Sequence, residues 1–133
     1  MTDFALALQG AMRAMLTSHS GVTDLVSADN IIDQTGAPEL LPCIFLGEGQ
    51  TVYNDWHSIV YLDLHIWCAE KGTTEVKKIA GAIFDSIVAP PWQVSGHICH
   101  DLRVEQSRFM RDVDEKLSHG VVTVRGILQR AAA

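Results

Sequence analysis

Six histidines and three cysteines have the widest chemical reach in this 133-residue chain. Only His97-Ile98-Cys99-His100 gathers them closely. In an extended strand His97 and Cys99 share one face and His100 takes the other. At most two then reach one ion, whereas a structural zinc site takes four ligands and a catalytic one three. The expected reading is a strand start with incidental imidazoles. Asp55-Trp56-His57 sets a carboxylate beside an imidazole, the pairing that orients a general base. No Gly-x-Ser-x-Gly elbow supplies a nucleophile, so a surface loop with one aromatic anchor is expected. Asp63 and His65 lie two residues apart and share a strand face, as a surface hydrogen-bonded pair or an interface contact. Gly47-Glu48-Gly49 has the glycines of a phosphate loop but not its Gly-Lys-Ser/Thr end, and reads as a turn.

The charge pattern is equally plain. Arg103, Arg108, Arg111, Arg125 and Arg130 are interleaved with Asp101, Glu105, Asp112, Asp114 and Glu115. Mixed signs predict a solvated strand face or an intersubunit salt-bridge set. A net charge of −6 argues against wrapping DNA, which needs many cationic phosphate contacts. Cys43, Cys68 and Cys99 are odd in number and widely spaced, which fits buried thiols in a reducing compartment better than a disulfide scaffold. No apolar run reaches the roughly 18–20 residues that span a bilayer, and no basic segment precedes the first apolar stretch. Hydrophobic residues make up 47%, enough for one core, and a single domain over 1–133 is expected.

The elements follow from periodicity. A helix is predicted from about Asp3 to Thr17, capped by Thr2 or Asp3, with Phe4, Leu8, Met12, Met15 and Leu16 as its stripe. A helical turn follows at Val22–Val26. Ile31-Ile32 reads as a short bridge, and Gly36, Pro38 and Pro42 mark irregular chain. Cys43–Leu46 reads as a short core strand, and Gln50–His57 as a polar loop. Ser58–Cys68 alternates strictly: Val60, Leu62, Leu64 and Ile66 on one face, Ile59, Tyr61, Asp63, His65 and Trp67 on the other. A second helix is predicted over 74–88, with Val76, Ile79, Ala80, Ile83, Phe84 and Ile87 facing inward, ended by Pro90-Pro91. Two long strands close the chain. In His97–Met110 the even residues Ile98, Leu102, Val104 and Met110 are apolar; in Gly120–Leu128 Val122, Val124 and Leu128 share a face. The expectation is an α+β two-layer sandwich: a mainly antiparallel four-stranded sheet with two helices on one face. Long strands in a small sheet leave edges that must be covered or paired, and pairing between copies in a ring is one solution. Trp56, Trp67, Trp92, Tyr53 and Tyr61 are candidate interface anchors.

Several local patterns, in this order, carry a likeness: the Ala-rich first helix with Val22-Thr23-Asp24-Leu25-Val26, Leu41–Gly47, Leu62–Trp67, the Gly72–Ile87 helix, and Asp112–Asp114 with His119-Gly120 and Val122–Arg125. In these the chain resembles the tail-completion or tail-terminator proteins of long-tailed bacteriophages, prophages and gene transfer agents, the family of the lambda minor tail protein U. The resemblance implies a non-enzymatic virion protein without cofactor or metal. It implies a homo-hexameric ring that caps the head-proximal end of the tail tube, stops its polymerisation and joins it to the head-completion or stopper protein. Its partners would be other copies, the tail tube protein and that stopper, with no membrane. DNA would pass through the lumen unread, and an acidic lumen would let it slide. The sheet would face the lumen and ring neighbours, with helices outside. The His97–His100 cluster departs from the family pattern. The expected docking elements are the 47–57 loop, with Tyr53, Asp55, Trp56 and His57, and the 111–118 connector, with Arg111, Asp112, Asp114, Glu115 and Lys116. Reversing charge at Asp112, Asp114 and Glu115 should block joining. The alternatives are another neck or tail-tube protein, or a small α+β enzyme or ligand-binding domain using Asp55, His57, Asp63 and His65.

Overall fold

The computed structural model describes residues 3–33, 41–70, 72–112 and 116–132. Helix α1 spans Phe4–Ser18, and the Asp3 carboxylate caps it by accepting from the Ala5 and Leu6 backbone N–H groups at 3.0 and 3.2 Å. Thr2, the other proposed cap, lies outside the described residues. Leu8, Met12 and Leu16 of the α1 stripe are fully buried. A four-residue helix α2 (Ser20–Thr23) replaces the expected turn at 22–26, and a 3-10 turn (Ala28–Asn30) follows. Helix α3 spans Thr74–Ile87 and buries Val76, Ile79, Ala80, Ile83 and Ile87. Phe84, expected on that stripe, lies on its margin and is 48% exposed. Neither helix is long and apolar enough to cross a membrane.

The sheet overturns the four-stranded expectation. Among the described residues it has six strands: β1 (Ile31–Ile32), β2 (Cys43–Tyr53), β3 (Ser58–Cys68), β4 (Gln93–Val94), β5 (His97–Asp112) and β6 (Leu117–Arg130). Their order is β1-β2-β3-β6-β5-β4. The sheet is mixed, because β1 runs parallel to β2 while the other pairs are antiparallel. The two added strands have two residues each: β1 is the short bridge read at Ile31-Ile32, which joins the sheet, and β4 is too short to carry any period. Strand β2 also runs on through the expected turn and loop to Tyr53, leaving 54–57 to connect it to β3.

Three β-bulges curl this sheet into a half-barrel: at Leu46/Gly49 in β2, and at Cys99/Asp101 and Val104/Gln106 in β5. Each adds a residue and reverses the side-chain alternation beyond it. Ile98 and Met110, expected beside Leu102, are therefore 47% and 38% exposed, and Phe109 turns toward the core instead. The even residues of β3, and those of β6 from Ser118 to Leu128, face the helices and are buried with Leu8, Met12, Ile79 and Ile83. The odd residues of β3 form the opposite, open face.

Candidate functional site

The open face is organised by the β2 bulge. Gly47 and Glu48 together lie opposite Asp63, between the pairs Leu46–Leu64 and Gly49–Leu62. The extra residue turns the Glu48 carboxylate onto His65, with Oε2 2.8 Å from Nε2. A carboxylate only accepts, so this nitrogen carries the hydrogen. Gly47 makes the arrangement possible: a Cβ there would lie 2.5 Å from His65 Cδ2. His65 Nδ1 reaches His119 Nε2 of β6 at 3.0 Å. The His119 ring lies flat under Trp67, with centroids 3.9 Å apart and planes 6° apart.

These contacts set the charges. The hydrogen bond from His65 holds the Glu48 carboxyl below its ordinary value. Burial pushes His119 below the usual imidazole range, helped by the charges of His65 and Arg108. Asp63 accepts from Thr123 Oγ1 at 2.6 Å. Asp63 and His65 thus share a face, as expected, but each has its own partners. The Glu48, Asp63 and His65 donor atoms lie within 4.8 Å of one another. A cavity of about 310 Å³ adjoins them, lined by Glu48, Gly49, Gln50, Tyr61, Asp63 and Thr123.

Sequence reasoning missed Glu48 and His119. Gly47 and Gly49 directly after the apolar run Cys43–Leu46 were the available signal, since glycine within a strand often marks a bulge. On the last strands Arg103 and Asp101 pair within the chain at 2.7 Å, with Arg125 at 3.9 Å.

The proposed docking residues fall at opposite ends of the sheet. Ser58 pairs with Leu128, and Leu128 with Cys99, so the 54–57 turn, the start of β5 and the end of β6 share one end. There Tyr53 and Trp56 are 67% and 59% exposed. Trp56 packs on His57 and His100 at centroid distances of 4.0 and 5.3 Å, and His100 donates to Gln129 Oε1 at 2.8 Å. Phe4 contacts Tyr53 and His97, with the Arg130 guanidinium over its ring. Asp55 is exposed and does not orient His57, whose Nδ1 is buried without a hydrogen-bond partner. At the other end Cys68 pairs with Ser118, and Ser118 with Arg111. Arg111 and Lys116 are exposed there, beside half-buried Asp112. Asp114 and Glu115 lie outside the described residues.

The His97–His100 cluster does not converge. His97 Nδ1 donates to the Ser95 carbonyl, Cys99 to the Asp101 carbonyl, and His100 to Gln129. Cys43, Cys68 and Cys99 are free thiols, each pushed up to about 11 chiefly by burial. Trp92 is half-buried against the core and donates to the Ile87 carbonyl, so it serves packing within the chain.

Comparison with known proteins supplies the context for this geometry. The fold is similar to that of a chain in the virion of a native gene transfer agent particle, with a TM-score of 0.81, 16% identity, and 96% of this chain and 99% of that one covered. No match was found among curated protein sequences. The family model described as tail completion protein gp17 matches residues 10–129. By that match, which takes in α3, the greater part of α1 and nearly all of the six strands, the chain belongs to the tail completion protein gp17 family and is a structural component of the virion tail.

Proposed function

We propose that this protein forms a homo-hexameric ring on the head-proximal end of a tail tube, ends tube growth, and joins the tube to the head-completion or stopper protein. The observation that carries the reading is the edge of β5. This 16-residue strand pairs with β6 along one side, but its other side meets only β4, at His97 and Ile98. Among the described residues no strand covers that edge from Cys99 to Arg111. Unpaired backbone N–H and C=O groups seek a partner, and a neighbouring copy in a closed ring supplies one six times over. The two β5 bulges and the charges of Arg103, Glu105 and Arg108 select against a partner of the wrong twist or charge.

The two sheet ends fit the joining role. Aromatic rings gather at one end and charged side chains at the other, so the ring would present a different chemistry on each rim. No catalysis is assigned to the protein. DNA would cross the lumen unread, and the net charge of −6 per copy disfavours sticking to phosphate.

Electron microscopy of the purified protein, alone and with tail tubes, tests this. Rings about one tube diameter wide, or tubes capped at one end, are expected. Protein that neither forms rings nor binds tube ends would overturn the proposal.

A further inference from the structure

We propose that Glu48, Asp63 and His65 form a binding site for a divalent transition-metal ion on the open face of the sheet. The donor set is one imidazole nitrogen and two carboxylates, with ligand atoms within 4.8 Å of one another. Three protein ligands plus solvent is the usual complement of an open zinc site. Ligand atoms around one such ion are about 3.3–3.5 Å apart, given bonds of roughly 2.0–2.2 Å. Glu48 and His65 already approach to 2.8 Å, and the exposed Glu48 side chain can swing to admit an ion. Glu48 and Asp63 both line the adjoining cavity, which leaves room for coordinated water.

The surroundings are those of a prepared site rather than a chance cluster. The β2 bulge aims Glu48, and the missing side chain at Gly47 seats the His65 ring. Metal-binding histidines hold their second ring nitrogen on a fixed partner, and ligating carboxylates are themselves hydrogen-bonded. Here His119 Nε2 faces His65 Nδ1, and Thr123 Oγ1 donates to Asp63. With the metal on Nε2, His65 carries its hydrogen on Nδ1 and donates it to His119. The imidazole favours Zn²⁺ or another first-row ion over Mg²⁺, which takes oxygen ligands and keeps its waters.

The probe is Zn²⁺ titrated into the full chain by calorimetry, with Co²⁺ for spectroscopy. One saturable equivalent is expected. Glu48→Gln, Asp63→Asn and His65→Gln should each weaken it at least tenfold, and His119→Gln roughly 10- to 100-fold. His100→Gln should leave it unchanged. In the unmutated protein, Zn²⁺ should shift the His65 and His119 ring resonances, a readout that does not depend on any variant folding. Four results would each overturn the site: no saturable binding, a thiolate–cobalt charge-transfer band, unmoved His65 and His119 resonances, or affinity lost in His100→Gln but kept in His65→Gln.

Discussion

His119 lies beneath Trp67 and against His65, and that cover matters in acid. Its folded pKa is lowered by burial, so the unfolded chain binds a proton near 6.5 while the folded chain resists. Stability is unaffected well above that value and falls as pH drops from it toward the folded pKa. Glu48, held below 4.5 by its bond from His65, acts in the same direction at lower pH. Its stabilisation is present above 4.5 and is lost as pH falls through the folded value. Urea unfolding of the metal-free protein should therefore show a midpoint that declines in acid from about pH 7.5, and that falls again in alkali once the unfolded thiols ionise near 9 and the buried ones do not. His119→Gln should flatten the part of that decline just below 6.5. An unchanged slope in that variant would assign the proton uptake elsewhere. The thiols give a second residue-scale test. With each pKa pushed up to about 11, the reactive thiolate is scarce at neutral pH. The native protein should react slowly with a thiol-specific disulfide reagent, and all three cysteines should react quickly in denaturant. Fast native labelling would contradict the burial of Cys43 and Cys68.

At the scale of elements, two glycines separate space from propensity. A Cβ at Gly120 in β6 would lie 2.7 Å from Val76 Cγ2 of α3, where a β-branched side chain has little freedom to move. Gly120→Ala should destabilise by about 1–3 kcal/mol, measured by denaturant unfolding. Gly81 sits on the exposed side of α3 with nothing within 4 Å of its Cβ position. Gly81→Ala should stabilise by about 0.5–1 kcal/mol through helix propensity. Equal effects at the two sites would mean that the α3–β6 contact does not constrain packing. The same elements explain what could be read from the sequence. Strand β3 is legible because its alternation is unbroken from Ser58 to Cys68, and α1 and α3 because their stripes repeat over three turns or more. Strand β5 misleads because two bulges reverse its parity, so Ile98 and Met110 match Leu102 in sequence but not in space. Strand β4 is too short to leave a pattern, whereas β1 is the short bridge read at Ile31-Ile32. The open-face site was half legible: Asp63 and His65 share β3, whereas Glu48 and His119 lie 17 and 54 residues from His65 and meet it only through strand register.

For the whole molecule, the separation of the two sheet ends makes the proposed joining role divisible. Tyr53 and Trp56 stand exposed at the 54–57 turn, and Arg111 and Lys116 stand exposed at the far end of β5 and β6. A ring with the strands running between its rims would offer one set to the tail tube and the other to the neck. Exposed substitutions of this kind usually shift stability by less than about 0.5 kcal/mol, so the monomer should keep its fold and its melting temperature. Tyr53→Ser with Trp56→Ala removes the aromatic contacts of one rim. Arg111→Glu with Lys116→Glu reverses charge on the other. In phage or particle assembly, one pair should yield tubes of uncontrolled length, because the ring no longer seats on the tube. The other should yield capped tails of normal length without heads, because the ring seats but the neck does not join. Buried aromatic anchors keep their affinity as salt is raised, whereas charge-dominated contacts weaken as salt screens them. Raising ionic strength during assembly of the unmutated protein should therefore reproduce the charge-reversed phenotype and not the aromatic one. Normal infectious yield from both pairs, or one shared arrest from both, would place the docking contacts elsewhere on the ring.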